Sequence, residues 1–497
     1  MYIERIEVPA FRALRDVVLE FGGAYEPPIF PVGSENGGGK STLLQLLFAL
    51  LHCSAYEERH TFLQNLLASE RDEGEEPERL IARLTLRMDD TRHVLEFISL
   101  GDRFLIEHLP EPPKLGFASE TQLAALTRMQ EQASERRGVL SDLLERTEHM
   151  SRDVRVDPEI LDLAFKAVPG LRMPRSTSEL RAILGKELQA LTDGERARES
   201  IERLAADAER VRGVLISRDL LQISSYAQSP NKSRARRALV CHGQGLSVER
   251  VKILLARAAQ AIFLLGPSNQ QYLFLGLETR RALLGKSPSR SRPALTAREG
   301  RRRPQIEYLE QLDGAENKLE GFYAYDWLSV EPLVLLFRTA RDEDFRQAVK
   351  TGHYGTSYTD LLREVNGLLY GKTVRPLEDL SGVEFLVKDA QGRDLLLGPE
   401  DLSQGELKRL MIYAWLRANN AIDAVVLIDE VETSFHPDWQ IGIIRDLQRW
   451  APKNQYLLAT HSYELCEALT PRHVRELEPR LRRTTTEGGE EPSPERS

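Results

Sequence analysis

The sequence predicts an α/β fold in which a phosphate-binding-loop core is written in two halves, with a large, mainly helical insertion between them. Three observations predict it. Ser34-Glu35-Asn36-Gly37-Gly38-Gly39-Lys40-Ser41-Thr42 lies between an extended Pro28-Ile29-Phe30-Pro31-Val32 stretch and a leucine-rich helix beginning Thr42-Leu43-Leu44-Gln45-Leu46-Leu47. Late in the chain, the apolar strand Ala424-Val425-Val426-Leu427-Ile428 ends in Asp429-Glu430. Between the two, from about Ser119 to Gln222, the pattern is that of long polar helices.

Met1-Tyr2-Ile3-Glu4-Arg5-Ile6-Glu7-Val8 alternates as a first strand does, and it lacks the cationic and apolar regions of a signal peptide. The glycine-rich loop follows. Gly37, Gly38 and Gly39 let consecutive backbone N–H groups curl around an anion, Lys40 adds a point charge for β- and γ-phosphates, and the Ser41 hydroxyl can ligate Mg²⁺. Asn36 through Thr42 is intact; the one departure is Ser34 where the strict pattern wants glycine, with Gly33 one residue early. The chain is expected to bind a nucleoside triphosphate.

Alternating segments at 80–87 and 93–98 complete a first half of the core over residues 1–110. The insertion is expected over 111–379. Its helices, such as 179–191 and 198–205, have room to pair as a short hairpin, and length excludes an arm hundreds of residues long. Residues 223–310 are less regular and hold two basic runs, Lys232, Arg234, Arg236 and Arg237, then Lys286, Arg290, Arg292, Arg298, Arg301, Arg302 and Arg303. A solvated loop and a surface for nucleic-acid phosphates are the two readings. The second half of the core, 380–480, opens with two apolar runs flanking a turn at 383–397, a hairpin signal. The tail, 481–497, is expected to be disordered.

Composition bounds the function. Of 497 residues, 41% are hydrophobic and 29% charged, which fits a soluble protein with many solvated faces. No stretch approaches the roughly 20 apolar residues that span a bilayer, so a cytoplasmic protein without membrane contact is expected. The net charge of −9 argues against uniform coating by nucleic acid. Cys53, Cys241 and Cys466 are too far apart for metal-ligand spacing and read as reduced thiols.

The second-half motifs carry the chemistry. Asp429 can hold Mg²⁺ through its water shell, while Glu430 can reach the water that attacks a γ-phosphate. Upstream, Leu402-Ser403-Gln404-Gly405-Glu406 opens a helix. Ser403 and Glu406 have the spacing of a capping box, and such an N-terminus with a glycine beside it also suits a phosphate.

Phosphate loop, Leu-Ser-x-Gly-Glu, Asp-Glu strand, then Thr460-His461-Ser462 after Gln455-Tyr456-Leu457-Leu458-Ala459 resembles the order of an ABC-type ATPase. The stretch Val431-Glu432-Thr433-Ser434-Phe435-His436-Pro437-Asp438-Trp439-Gln440 resembles the loop that meets the partner subunit in the OLD and RecF-like branch. The resemblance covers about 1–110 and 380–470. It implies an α/β, ABC-type P-loop core, ATP and Mg²⁺ as cofactors, Ser403 and Gly405 as the signature that closes a partner's site, and His461 as the switch histidine on the γ-phosphate. It also implies a homodimer or higher homo-oligomer joined through the ATP sites. Within that branch the chain is similar to ATPase subunits of anti-phage defence systems (PtuA of Septu, AriA of PARIS), which implies a sensor that controls a separate effector, a nuclease or toxin. Too few residues follow His461 for the Toprim nuclease of OLD proteins, so no nuclease domain is expected. A RecF-like repair ATPase gripping DNA through the basic runs is the alternative, and a scaffold cemented by ATP is a third. The glutamine that couples the lobes of such ATPases is not placed by the sequence.

Overall fold

Two six-stranded sheets enclose one helix. The computed structural model describes residues 1–477 apart from 24, 35–36, 69–75, 112–116, 118–119, 149, 151–156, 169–170, 172, 193–194, 228–235, 269, 271–317 and 326–328. The first sheet joins β1 (Tyr2–Phe11), β2 (Leu14–Glu20), β4 (Glu78–Met88), β5 (Thr91–Leu100), β6 (Leu220–Ala227) and β7 (Arg236–Gly243), antiparallel in the order β2-β1-β4-β5-β7-β6. The second joins β3 (Ile29–Gly33), β8 (Ile262–Gly266), β9 (Phe322–Ala324), β13 (Val425–Asp429), β14 (Gln455–Thr460) and β15 (Arg475–Glu476), parallel in the order β15-β3-β14-β13-β8-β9.

Helix α1 (Lys40–His52) lies between them. Leu43, Leu44, Leu46, Leu47, Leu50 and Leu51 are each no more than 1% exposed, because a helix that is apolar all round needs a neighbour on every side. One face meets Ile3, Ile6, Leu84 and Phe97 of the antiparallel sheet; the other meets Phe30, Leu264, Leu427 and Leu457 of the parallel one. Gln455, fully buried at the start of β14, stitches the sheets together: its Oε1 accepts from the Ile3 N–H at 2.7 Å and its Nε2 donates to the Ile3 carbonyl at 2.9 Å. A single amide side chain thereby satisfies both backbone groups of one buried residue.

The outer face of the parallel sheet is covered by α11 (Gln404–Ala418) and α12 (Pro437–Trp450), through Ile412, Trp415, Ile443, Ile444 and Leu447. Covered on both faces, β13 and β14 are buried at every residue. A further lobe packs α9 (Glu331–Thr351) and α10 (Ser357–Asn366) with α11 against the three-stranded sheet of β10 (Lys372–Pro376), β11 (Val383–Lys388) and β12 (Asp394–Leu397). The hairpin expected at 383–397 is β11–β12.

This is the α/β, ABC-type P-loop arrangement that the motif order implies. Strands β1 to β5 fall in the first 110 residues, with the 80–87 and 93–98 segments as β4 and β5. The segment 111–379, however, is not one helical block. It opens with the helices α4 (Glu120–Glu148), α5 (Pro158–Ala167), α6 (Thr177–Thr192) and α7 (Glu195–Ser217); Leu140, Leu143, Ala164, Leu180 and Leu184 give the first three a small core of their own. From β6 onward the chain returns to the core. β7 pairs with β5, β8 pairs with β13, and α8 (Val248–Gln260) packs Val251 and Leu255 into the cluster around α1. The physical reason is burial: Leu239, Val240, Cys241 and all of β8 are apolar and inaccessible, and only a central position in a sheet accommodates such runs.

The basic runs meet a partial correction. Arg237 is 5% exposed and donates from Nε to Ser99 Oγ at 2.7 Å and from Nη2 to the Ser99 carbonyl at 3.1 Å, so it braces β5 and faces no phosphate. Lys232, Arg234, the whole second run and the 481–497 tail lie outside the described residues. Cys53 and Cys241 are buried free thiols, their pKa pushed up by burial, and Cys466 is partly buried and free. Among the described residues no helix is long and apolar enough to cross a membrane.

Candidate functional site

Strand register brings the motifs together. Asp429 pairs with Ala459, Thr460 pairs with Gly33, and Ile428 pairs with Leu265, so the ends of β13, β14, β3 and β8 lie side by side. The carboxyl edge of a parallel sheet is where open α/β folds place ligands.

At the end of β3, Gly37 and Gly39 adopt φ of 84° and 90°, a left-handed backbone that favours glycine. Gly39 has a second reason: a Cβ there would sit 2.7 Å from Leu14 Cδ2, because the loop is pressed onto the β1–β2 turn. Lys40, 7% exposed, donates from Nζ to the Ser34 carbonyl at 3.1 Å and Ser34 Oγ at 3.0 Å, and lies 3.5 Å from His461 Nδ1. Ser34, the residue that departs from the strict pattern, thus supplies two of the atoms that hold the lysine. Burial lowers the Lys40 pKa, against the raising pull of Asp429, Glu432 and Glu430. Ser41 hydrogen-bonds the Asp429 carboxylate. Thr42 follows in the first turn of α1, and Asn36 lies outside the described residues.

Asp429 is 2% exposed, and its pKa is pushed up to about 6, first by burial and then by Glu430 and Glu432. Gln270, 3% exposed, donates from Nε2 to Asp429 Oδ2, while its Oε1 has no partner. Gly266 makes room for it, since a Cβ there would meet Gln270 Cδ at 2.8 Å. Sequence reasoning missed Gln270. The available signal was Ile262-Phe263-Leu264-Leu265-Gly266, a short apolar run followed by polar residues, which is itself a core-strand pattern. Tyr325 is a second residue it missed: its hydroxyl lies 2.5 Å from the Asp429 carbonyl and 3.0 Å from that of Glu430, sharing one proton between them.

Glu430 follows Asp429 with φ 51°, a left-handed backbone unusual for a residue with a side chain. Two residues on, Glu432 Oε1 accepts the His461 N–H at 2.7 Å, and its Oε2 has no partner. Ser462 Oγ donates to Gln440 Oε1 at 2.5 Å, so the Thr-His-Ser turn is tied to the loop after β13 through Glu432 and to α12 through Gln440.

Ser403 and Gly405 sit apart from this cluster. Ser403 is the exposed N-cap of α11 in a full capping box: its Oγ accepts the Glu406 N–H at 3.3 Å, and Glu406 Oε2 accepts the Ser403 N–H at 3.1 Å. Lys372 holds the other Glu406 oxygen at 2.5 Å. Gly405 lies against the loop after β13, where a Cβ would come 2.7 Å from the Ser434 carbonyl.

The site suits a magnesium nucleotide on its own atoms. The half-buried Ser41 hydroxyl beside a dry carboxylate is a hard-oxygen pair of the kind Mg²⁺ takes, and the Gln270 Oε1 without a partner adds another oxygen. Lys40 and the N–H groups at the start of α1 provide the matching positive end for phosphates.

Asp429 also carries a stability prediction. Its folded pKa lies above the ordinary carboxylate value of 3.8, so folding takes up a proton between about pH 4 and 6 and stability falls as pH rises through about 6. Roughly two pKa units correspond to about 3 kcal/mol, an upper figure for what the ionised carboxylate costs the nucleotide-free protein above that pH. Asp429→Asn should therefore raise the melting temperature at pH 8 more than at pH 5; thermal melts at the two pH values decide it.

Comparison with known proteins gives four matches. The family described as "AAA domain, putative AbiEii toxin, Type IV TA system" matches residues 291–467, a segment that contains Ser403, Gly405, Asp429, Glu430 and His461, with the phosphate loop N-terminal to it. A stretch of 84 residues is 33% identical to "Retron Ec83 probable ATPase" of Escherichia coli, covering 15% of this chain and 16% of that protein. The Smc head domain from Pyrococcus furiosus with an extended coiled coil, bound to the C-terminal domain of ScpA, aligns over 94% of this chain and 92% of its own at 11% identity and a TM-score of 0.29. The Smc head domain with a coiled coil and joint from Pyrococcus yayanosii aligns over 94% and 93% at 14% identity and a TM-score of 0.32. The fold rests on the strand order above; the family match is to an AAA domain over residues 291–467, and the 84-residue stretch is similar to part of a probable ATPase.

Proposed function

We propose that this protein binds and hydrolyses ATP with Mg²⁺ and uses that cycle to control a separate effector, a nuclease or toxin, in a bacterial anti-phage defence system. The observation that carries the ATPase part is the convergence of Lys40, Ser41, Asp429, Glu430 and His461 at adjoining strand ends. The defence part draws on the family match over 291–467 and the similarity to the retron ATPase.

In this reading Gly37 to Thr42 cradle the phosphates, Lys40 contacts the β- and γ-phosphates, and Ser41 and Asp429 hold the metal. Bound there, Mg²⁺ neutralises charge on the phosphoryl oxygens. Gln270 and Tyr325 orient Asp429, one by its carboxylate and the other by its carbonyl. Glu430 takes the proton of the attacking water onto its carboxylate, and His461, held by Glu432, contacts the γ-phosphate. Ser403, the N-cap of α11, and Gly405, packed against the loop after β13, close the site of a second copy, which makes the functional unit a head-to-tail homodimer.

The test is mass photometry of Glu430→Gln protein with and without ATP, joined to native mass spectrometry of the complex purified from its host. ATP should convert a 56.4 kDa protomer to at least twice that mass, with an effector-type protein co-purifying. A protomer that stays single in ATP would overturn the dimer. Mass gained only on adding duplex DNA, with turnover that DNA stimulates and salt suppresses, would replace the defence reading by the RecF-like one.

A further inference from the structure

We propose that Lys408 is a positioning residue for Glu430: reaching from α11, it grips the carbonyls of Glu430 and Thr433 and, with Tyr325, fixes the left-handed backbone that aims the Glu430 carboxylate. The proposal rests on the reading of Glu430 as the general base.

Lys408 is 4% exposed, so its ammonium is shielded from solvent. Its Nζ donates to the Glu430 carbonyl at 2.8 Å and the Thr433 carbonyl at 3.0 Å, and stands 3.9 Å from the centroid of the Tyr325 ring and 5.3 Å from that of Phe435. Burying an ammonium is costly unless acceptors and aromatic faces replace its water. A leucine or methionine would fill the same helix face without that cost. The lysine is explained by what it holds.

What it holds is a loop in an unfavourable conformation. Glu430 has φ 51° and Ser434 φ 71°, a region that is unfavourable for a residue with a side chain and persists only where the surroundings fix it. At Glu430 the surroundings do so from both sides. The Glu430 N–H donates to the Ala459 carbonyl at 3.0 Å, and the Glu430 carbonyl receives both Lys408 Nζ and the Tyr325 hydroxyl. If φ relaxed to its ordinary negative range, the Cβ would swing away and the carboxylate would leave the site that Lys40 and Asp429 share. Pre-organising the base in this way converts binding geometry into rate.

The same helix presses on the loop at its first turn. Gln404 Oε1 accepts from Ser434 Oγ at 3.2 Å, and Gly405 admits the Ser434 carbonyl to a distance no side chain would allow. One rigid helix therefore carries both the exposed Ser403 end, assigned to the partner's nucleotide, and the grip on its own subunit's base. Closure of the neighbouring site and the aim of Glu430 are mechanically joined.

The experiment compares Lys408→Met, Lys408→Arg and Tyr325→Phe in the full-length chain, each alone and combined with Glu430→Gln, by kcat, KM, ATP Kd and thermal melting. Lys408→Met should lower kcat by about 10- to 100-fold with ATP Kd within about twofold, the signature of an interaction used in the transition state. Lys408→Arg, which restores a donor, should recover most of the loss. In the Glu430→Gln background, Lys408→Met should add less than about twofold, because it acts through a group already removed. Should Lys408→Met fail to fold, Tyr325→Phe carries the same test with an expected loss of about 3- to 10-fold. Unchanged kcat, a parallel loss of Kd, or a full multiplicative loss on top of Glu430→Gln would overturn the positioning role while leaving Glu430 as base. Normal turnover by Glu430→Gln alone would instead remove the base assignment, and this proposal with it.

Discussion

Glu430→Gln is expected to lower kcat for ATP hydrolysis by about 10²- to 10⁴-fold, the usual worth of a positioned general base, while ATP still binds. The substitution keeps the side-chain length and its hydrogen-bonding oxygen and removes the basicity. It leaves the main chain alone, so the Glu430 carbonyl still accepts from Lys408 and Tyr325 and the N–H still donates to Ala459. Glu430 is also one of the carboxylates that raise the pKa of Asp429. Neutralising it therefore eases ionisation of Asp429 and removes a negative charge near the phosphates, both of which favour nucleotide binding. The check is steady-state and single-turnover hydrolysis beside a direct binding measurement. Undiminished kcat would transfer the role to Glu432, whose Oε2 is buried without a partner next to His461.

The parts of this site that follow from local chemistry were legible in the sequence, and those that follow from strand order were not. Glycines with φ of 84° and 90° are demanded by the turn itself, and the Ser403–Glu406 capping box is closed within four residues. Lys40, Ser41, Asp429, Glu430 and His461 follow strands whose apolar runs announce them. Gln270 is different: it reaches Asp429 only because β8 pairs with β13, a contact across 159 residues that no periodicity reveals. The same holds for Tyr325 and Lys408, ordinary residues at their own positions that matter through the loop they meet. The insertion boundary was hidden for a related reason. β6 and β7 lie between the polar helices and a basic stretch, and their apolar centre is short enough to pass for loop until β5 is seen beside it. Ser34 shows the converse. A motif mismatch in sequence became a lysine-holding contact in space.

Lys40→Ala should weaken ATP binding by about 10²-fold, on the order of 1.5–3 kcal/mol for a hydrogen bond to a charged group, and turnover should fall with it. Electrostatics sets the sign. The Lys40 ammonium is the cation whose pKa Asp429, Glu432 and Glu430 all pull upward, and without it those carboxylates face an anionic phosphate chain unopposed. Removing it also takes away a charge that lowers the pKa of Asp429, so the carboxylate of the variant should ionise at a pH above 6. The remaining Mg²⁺-dependent affinity of Lys40→Ala should therefore rise with pH further into the neutral range than that of the unmodified protein, a shift that calorimetric titration at pH 6, 7 and 8 would resolve. Equal affinity in the two proteins would mean that the nucleotide does not lie on this loop. Equal pH dependence with weakened affinity would mean that Lys40 binds phosphate but does not set the ionisation of Asp429.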